Sequence, residues 1–185
     1  MLEDANNALR ELAATPYDDM YHLRLSSWAI YLLTRQGEIT TGALAATQSR
    51  LQNLSAQDWQ TDLSALYLAA SYRLLKMDKE AKALMEPSWK QLGQAWSKAW
   101  WTQNYYDPLV QDATRLYLIT RHFPEKTADI PPQVLENMTS ALKAQRNTTF
   151  SSAMSILALE SYSAQITQAQ GEGDTLSILQ NSKRS

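Results

Sequence analysis

The chain predicts an all-α fold, an array of αα-hairpins, and three observations carry that prediction. Apolar residues recur at spacings of three and four along most of its length, the mark of amphipathic helices. Glycine, which weakens helix interiors, occurs only five times in 185 residues. Four segments of one pattern return at intervals of about 40 residues, the length of a helix pair with its two turns.

The repeated segments are SSWAIYLLTR from Ser26, LSALYLAASYR from Leu63, QDATRLYLITR from Gln111 and FSSAMSILALESY from Phe150. Each opens with a small or polar pair and then carries alanine and large apolar residues on most faces, as in Ala65, Leu66, Leu68, Ala69 and Ala70. A helix apolar around so much of its circumference must be covered on several sides, so these four are expected to be inner helices. Between them lie TGALAATQSRLQNL, DKEAKALMEPSWKQL and PPQVLENMTSALKAQ, each with one apolar stripe and charges elsewhere. These read as outer helices.

Punctuation supports the same division. Gly37 and Gly93 follow periodic segments, where a helix ends on a residue that tolerates a left-handed backbone. Ser55 with Asp58 three residues on reads as a capping box, and Asp107-Pro108 places an acceptor at N-cap with proline at the first helical position. After Gln168 the character changes: Gly171-Glu172-Gly173-Asp174 reads as a helix break, and TLSIL alternates polar with apolar residues as a short strand does. The expected organisation is therefore a helical domain over residues 1–168 and a tail over 169–185. An open solenoid and a closed α/α toroid both fit this alternation of helices. The alanine and serine content of the inner segments favours the toroid, in which several helices converge.

Composition removes several classes of function. The formal charge of −2 is dispersed along the chain, with no basic stripe to neutralise phosphates, so nucleic acid is not an expected partner. No apolar run approaches the roughly 18 to 20 residues needed to span a bilayer, so no membrane contact by this segment is expected. Glu3 and Asp4 stand where a secretion signal would carry basic residues; a piece of a larger exported protein fits that start as well as a cytoplasmic chain does. With no cysteine, disulfides, thiolate nucleophiles and zinc–thiolate sites are excluded.

Candidate chemistry is sparse. Trp100, Trp101, Tyr105 and Tyr106 crowd ahead of Asp107-Pro108, as packing in a helix connection or as the floor of a sugar-binding groove. They are the candidate interaction surface. Asp112 and Glu160 are the carboxylates a glycosidase reading would need, one on each of two inner helices. His22, near Asp18 and Asp19, and His122, near a helix end, are too isolated for a metal site. Asn53, Asn137 and Asn147 begin Asn-X-Ser/Thr triplets. No catalytic, cofactor-binding or metal residue is assigned, and no cofactor is expected.

Two segments carry a family resemblance. NTTFSSAMSILALESYSAQ, from Asn147 to Gln165, resembles the helix of the alpha-2-macroglobulin and complement thioester-containing domain in which a Thr/Ser-rich start precedes alanine, Leu-Ala-Leu and tyrosine. DPLVQDATRLYLITRHFPEK resembles another inner helix of that domain, particularly in bacterial members. The resemblance covers roughly residues 15–165 and implies the C-terminal part of an α/α toroid within a large, exported, membrane-anchored periplasmic protein that traps proteases. The partners it implies are the other domains of the parent chain and, through the parent, the target proteases. It also implies that the tail begins a neighbouring β-domain. The family captures its target through a thioester between Cys and Gln of a Cys-X-Glu-Gln motif. This chain has no cysteine and no Glu-Gln step, so no thioester residue carries over to it. Either the motif lies upstream or the parent lacks one; the chain offers fewer inner helices than a complete toroid of that family, which favours the first. The competing reading is an α/α-toroid carbohydrate-active enzyme or sugar-binding module, which rests on the aromatic cluster and nearby carboxylates.

Overall fold

A computed structural model describes residues 2–54, 58–94, 108–144 and 148–182, with side chains as far as Ala169 in the last helix. In chain order the elements are α1 (Leu2–Ala14), α2 (Met20–Arg35), α3 (Thr41–Leu54), a 3-10 turn (Asp58–Thr61), α4 (Leu63–Leu74), α5 (Asp78–Trp89), α6 (Pro108–His122), a second 3-10 segment (Pro124–Asp129), α7 (Pro132–Lys143) and α8 (Thr149–Ser182). The fold is an all-α helical array, with no strand among the described residues. The four repeated segments fall in α2, α4, α6 and α8, and the three amphipathic ones in α3, α5 and α7. Helix α1 is not among the segments the repeat picks out. Its first turn carries Glu3 and Asp4, which complement the positive end of the helix dipole.

The chain divides into two compact units, Met1–Gln94 and Ala95–Ser185. In the first, α2 packs against α1, α3 and α4, and α4 packs in turn against α5. Inner and outer helices differ as their sequences demand. Every residue of α4 from Leu63 to Tyr72 is buried, whereas α3 buries only Leu44, Thr47 and Leu51, and α5 buries Ala81, Leu84, Met85 and Ser88. In the second unit α6 lies against α8 and α7, and α7 buries the stripe Val134, Met138 and Ala141.

Burying serine and threonine within inner helices requires that their hydroxyls be satisfied. Five of them bond back to the carbonyl one turn earlier: Ser27 to Leu23, Thr34 to Ile30, Ser71 to Tyr67, Thr120 to Leu116 and Ser155 to Ser151, all at 2.7–2.9 Å. A hydroxyl answered inside its own helix leaves a small, self-sufficient surface against which a neighbouring helix can close. Some also reach across. Thr120 Oγ1 on α6 lies 2.8 Å from Ser161 Oγ on α8, and Ser26 on α2 lies 3.4 Å from Thr47 on α3.

Helix ends follow local rules. Gly37 has φ +91°, its N–H donates to Thr34, and the Glu38 N–H donates to Leu33, the paired bonds of a Schellman stop. Gly93 also adopts positive φ, as its place after α5 predicts. Helix α4 ends with the same bonds, Lys76 to Arg73 and Met77 to Tyr72, but the left-handed position is held by Lys76 at φ +63°. Pro108 opens α6, as expected, while Asp107 lies outside the described residues.

One sequence expectation is placed differently. The backbone of α8 continues as helix through Gly171 and Gly173 to Ser182, so the TLSIL stretch is helical and not a strand. Extending an established helix needs no new nucleus, and a glycine costs only about 1 kcal/mol within it, less than the alternation argument assumes. The expected cap at Ser55 lies outside the described residues; α4, which follows the 3-10 turn, is capped by Asp62.

Candidate functional site

The predicted aromatic surface, Trp100, Trp101, Tyr105 and Tyr106, lies outside the described residues. The remaining candidates resolve into structural roles or open surface.

Asp19 caps α2, accepting the His22 backbone N–H at 3.0 Å. Its other oxygen lies 2.6 Å from His22 Nδ1. A carboxylate only accepts, so Nδ1 carries the hydrogen. The imidazole is stacked on Tyr17 at 4.8 Å and meets Tyr21 edge-on at 5.2 Å. The His22 backbone and ring bonds hold the Asp19 carboxyl below its ordinary range. The cap is reinforced by the His22 ring, which returns to the Asp19 carboxylate rather than to its backbone N–H as in a capping box. His122 is buried at the end of α6, where a basic side chain complements the dipole.

Asp112 and Glu160 occupy opposite environments. Asp112 is fully buried, 3.8 Å from the nearly buried Arg115 one turn on, while Glu160 faces solvent. A glycosidase pair needs both carboxyls at one accessible cleft, and a sealed carboxylate beside a guanidinium is not placed to protonate a leaving group. No group of three or more His, Cys, Asp or Glu side chains suited to a metal occurs among the described residues.

A groove of about 430 Å³ opens between the 3-10 segment and α8, lined by Pro124, Thr127, Ala128, Gln165, Ile166, Gln168 and Ala169. None of these side chains ionises near neutral pH, so among the described residues the groove's lining offers no general acid or base. What the described surface does offer is apolar. In the first unit Tyr21, Trp28 and Ile39 are exposed; in the second, Phe150, Ile156 and Leu157 are. Sequence reasoning missed Trp28, Phe150, Ile156 and Leu157 as surface because it expected the repeated helices to be covered all round.

The chain is 68% identical over 99% of its length to an alpha-2-macroglobulin homolog of Yersinia pestis. It is 41% identical over 80% of its length to an alpha-2-macroglobulin of Pasteurella multocida, and 32% over 85% to one of Rickettsia conorii. The chain is a segment of the bacterial alpha-2-macroglobulin family. It spans only 9%, 8% and 8% of those relatives, so it corresponds to a small part of such a macroglobulin. No protein-family model matches the chain, and no solved structure does. Within this macroglobulin segment, no helix among the described residues is long and apolar enough to cross a membrane.

Proposed function

We propose that the chain is a non-catalytic helical domain of a bacterial alpha-2-macroglobulin-like protein that traps proteases. It forms the C-terminal part of an α/α-toroid thioester-containing domain without a thioester of its own. The observation that carries this reading is the 68% identity across 99% of the chain to an alpha-2-macroglobulin homolog. The alternation of surrounded and one-sided helices supports it, as does the lack of cysteine. In this reading the segment is a structural partner of the parent's other domains, and the parent acts in the periplasm, exported and anchored. Target proteases meet the parent rather than this segment.

The test compares the chain with its parent. The parent incubated with elastase or trypsin is expected to retain the protease in a covalent complex and to lose that ability after methylamine treatment. The chain alone is expected to show no mass change with methylamine and no inhibition. Stoichiometric inhibition by the isolated chain, or a parent that traps nothing, would contradict the proposal.

A further inference from the structure

Helix α5 is held less firmly than the helices it joins. Asp19 caps α2 and Asp62 caps α4, whereas Met77, at the start of α5, gives it no side-chain cap. The residue before that, Lys76, holds the left-handed backbone at φ +63°, which a side chain disfavours. Near the other end Pro87 lies inside the helix, where it has no N–H for the Ala83 carbonyl and its ring crowds that oxygen. Arg73 of α4 does reach Asp78 at 2.8 Å, but Asp78 is exposed, and an ion pair in water holds little.

The contact beneath α5 is also incomplete. This helix packs on α4 and on the 3-10 turn Asp58–Thr61, and it buries only Ala81, Leu84, Met85 and Ser88. Ser88 is fully buried, yet its hydroxyl does not take the carbonyl one turn earlier, as those of Ser27, Ser71 and Ser155 do. Trp59, in the 3-10 turn, is fully buried too, and its indole N–H finds no acceptor among the described residues. A buried polar group without a partner has given up its bond to water and gained nothing in return. Lifting α5 returns the Ser88 hydroxyl to water and uncovers the turn that holds Trp59.

We propose that α5 is a detachable cover, which opens from the Lys76–Met77 turn while the rest of the first unit stays folded. Opening uncovers part of α4, a helix whose residues from Leu63 to Tyr72 are otherwise all buried. The fold thereby holds an apolar surface in reserve, presented only in the open form. Sub-global opening takes the elements with the fewest buried contacts, and the missing cap, the left-handed Lys76, the helix bond lost at Pro87 and the unanswered Ser88 hydroxyl all lower its cost here. The device lies beyond the proposed function and needs neither a thioester nor a trapped protease.

The 185-residue chain has no cysteine, so one introduced thiol reports opening without background. Ala81→Cys in α5 and Ala29→Cys in α2 each replace a fully buried alanine. Under native conditions with rising urea, a thiol reagent such as DTNB is expected to label the α5 thiol about 100-fold faster or more than the α2 thiol, with a shallower urea dependence. Adding Ser88→Ala, which removes the unanswered hydroxyl, should slow labelling of the α5 thiol about tenfold. Pro87→Ala, which restores a helix bond, should slow it as well. Equal rates and equal urea slopes at the two thiols would show a single all-or-none unfolding and overturn the proposal. Labelling in α5 that both added substitutions leave unchanged would overturn it too. Hydrogen exchange of the unsubstituted chain gives the same reading where a thiol disturbs the packing: α5 amides that exchange through an opening of shallow urea dependence support the proposal, and α5 amides protected to the level of α2 refute it.

Discussion

Arg24 and Asp62, 38 residues apart, join the start of α4 to α2: the guanidinium Nε donates to Asp62 Oδ1 at 3.0 Å while that oxygen accepts the Ser64 N–H at 2.9 Å. One carboxylate thus caps a helix and anchors its neighbour. Burial acts to raise the Asp62 pKa. The bond and charge of Arg24, with the Ser64 hydroxyl and N–H, outweigh it and hold the carboxyl below its ordinary range.

Asp62→Ala is expected to destabilise the chain by about 2 to 3 kcal/mol, combining a lost cap with the loss of the charged hydrogen bonds that Asp62 gives the part-buried Arg24 guanidinium. Asp62→Asn keeps a capping acceptor and should cost about 1 kcal/mol. Urea titration at pH 7 measures both. Because the folded pKa lies below the unfolded one, the stabilisation is fully present above the unfolded carboxylate value of about 4 and disappears as pH falls through the folded value. Asp62→Asn should therefore flatten part of the stability loss below about pH 4, and an unaltered acid limb would remove Asp62 as a cause.

Two of the left-handed helix stops, Gly37 and Lys76, make opposite predictions. Gly37→Ala meets no neighbouring atom, so its expected cost of about 1 kcal/mol is backbone strain alone. Lys76→Gly relieves the same strain and should gain about 0.5 to 1 kcal/mol. Shifts of denaturant midpoint at constant m-value would display both signs.

Asp112 and Arg115 form a sealed pair within α6. Asp112→Ala or Arg115→Met alone is expected to cost about 3 to 5 kcal/mol, since each leaves a buried charge behind. Asp112→Leu with Arg115→Met should cost far less than the sum. A double-mutant cycle by thermal unfolding tests this, and simple additivity would show that the charges do not depend on each other.

The α6–α8 seam is closed by small side chains. Ser155→Leu at this fully buried site is expected to lose about 1 to 3 kcal/mol through overpacking, whereas Ile156→Ser one residue on, on the exposed face, should stay within about 0.5 kcal/mol. Calorimetry of the two variants side by side separates the faces.

Much of the fold was legible in the sequence, because periodicity and caps are local properties. TGALAATQSRLQNL coincides with α3, LSALYLAASYR begins at the first residue of α4, and Pro108 opens α6. The stop at Gly37 was readable because only a left-handed backbone closes a Schellman turn, whereas Lys76 hides the same turn behind a residue that disfavours it. The strand expectation at TLSIL failed because a short alternating run cannot signal whether a helix already entering it will stop. The surface was harder to read. Asp112 and Glu160 look alike in sequence, and only packing shows one sealed beside Arg115 and the other in solvent. Phe150, Ile156 and Leu157 read as core because composition reports the environment a helix is suited to, not which neighbour is present.

The stops after α2 and α4 have a consequence for how the chain acquires its shape. The bonds that end α2 lie between residues 33 and 38, and those that end α4 between 72 and 77. Neither turn waits for a distant segment, so each hairpin is set as soon as its own stretch of backbone is available. Folding dominated by such short-range closures is fast and runs piecewise. A polypeptide delivered end first, from a ribosome or through a narrow passage, can thus lay down its turns in sequence before the helices that later cover them have arrived.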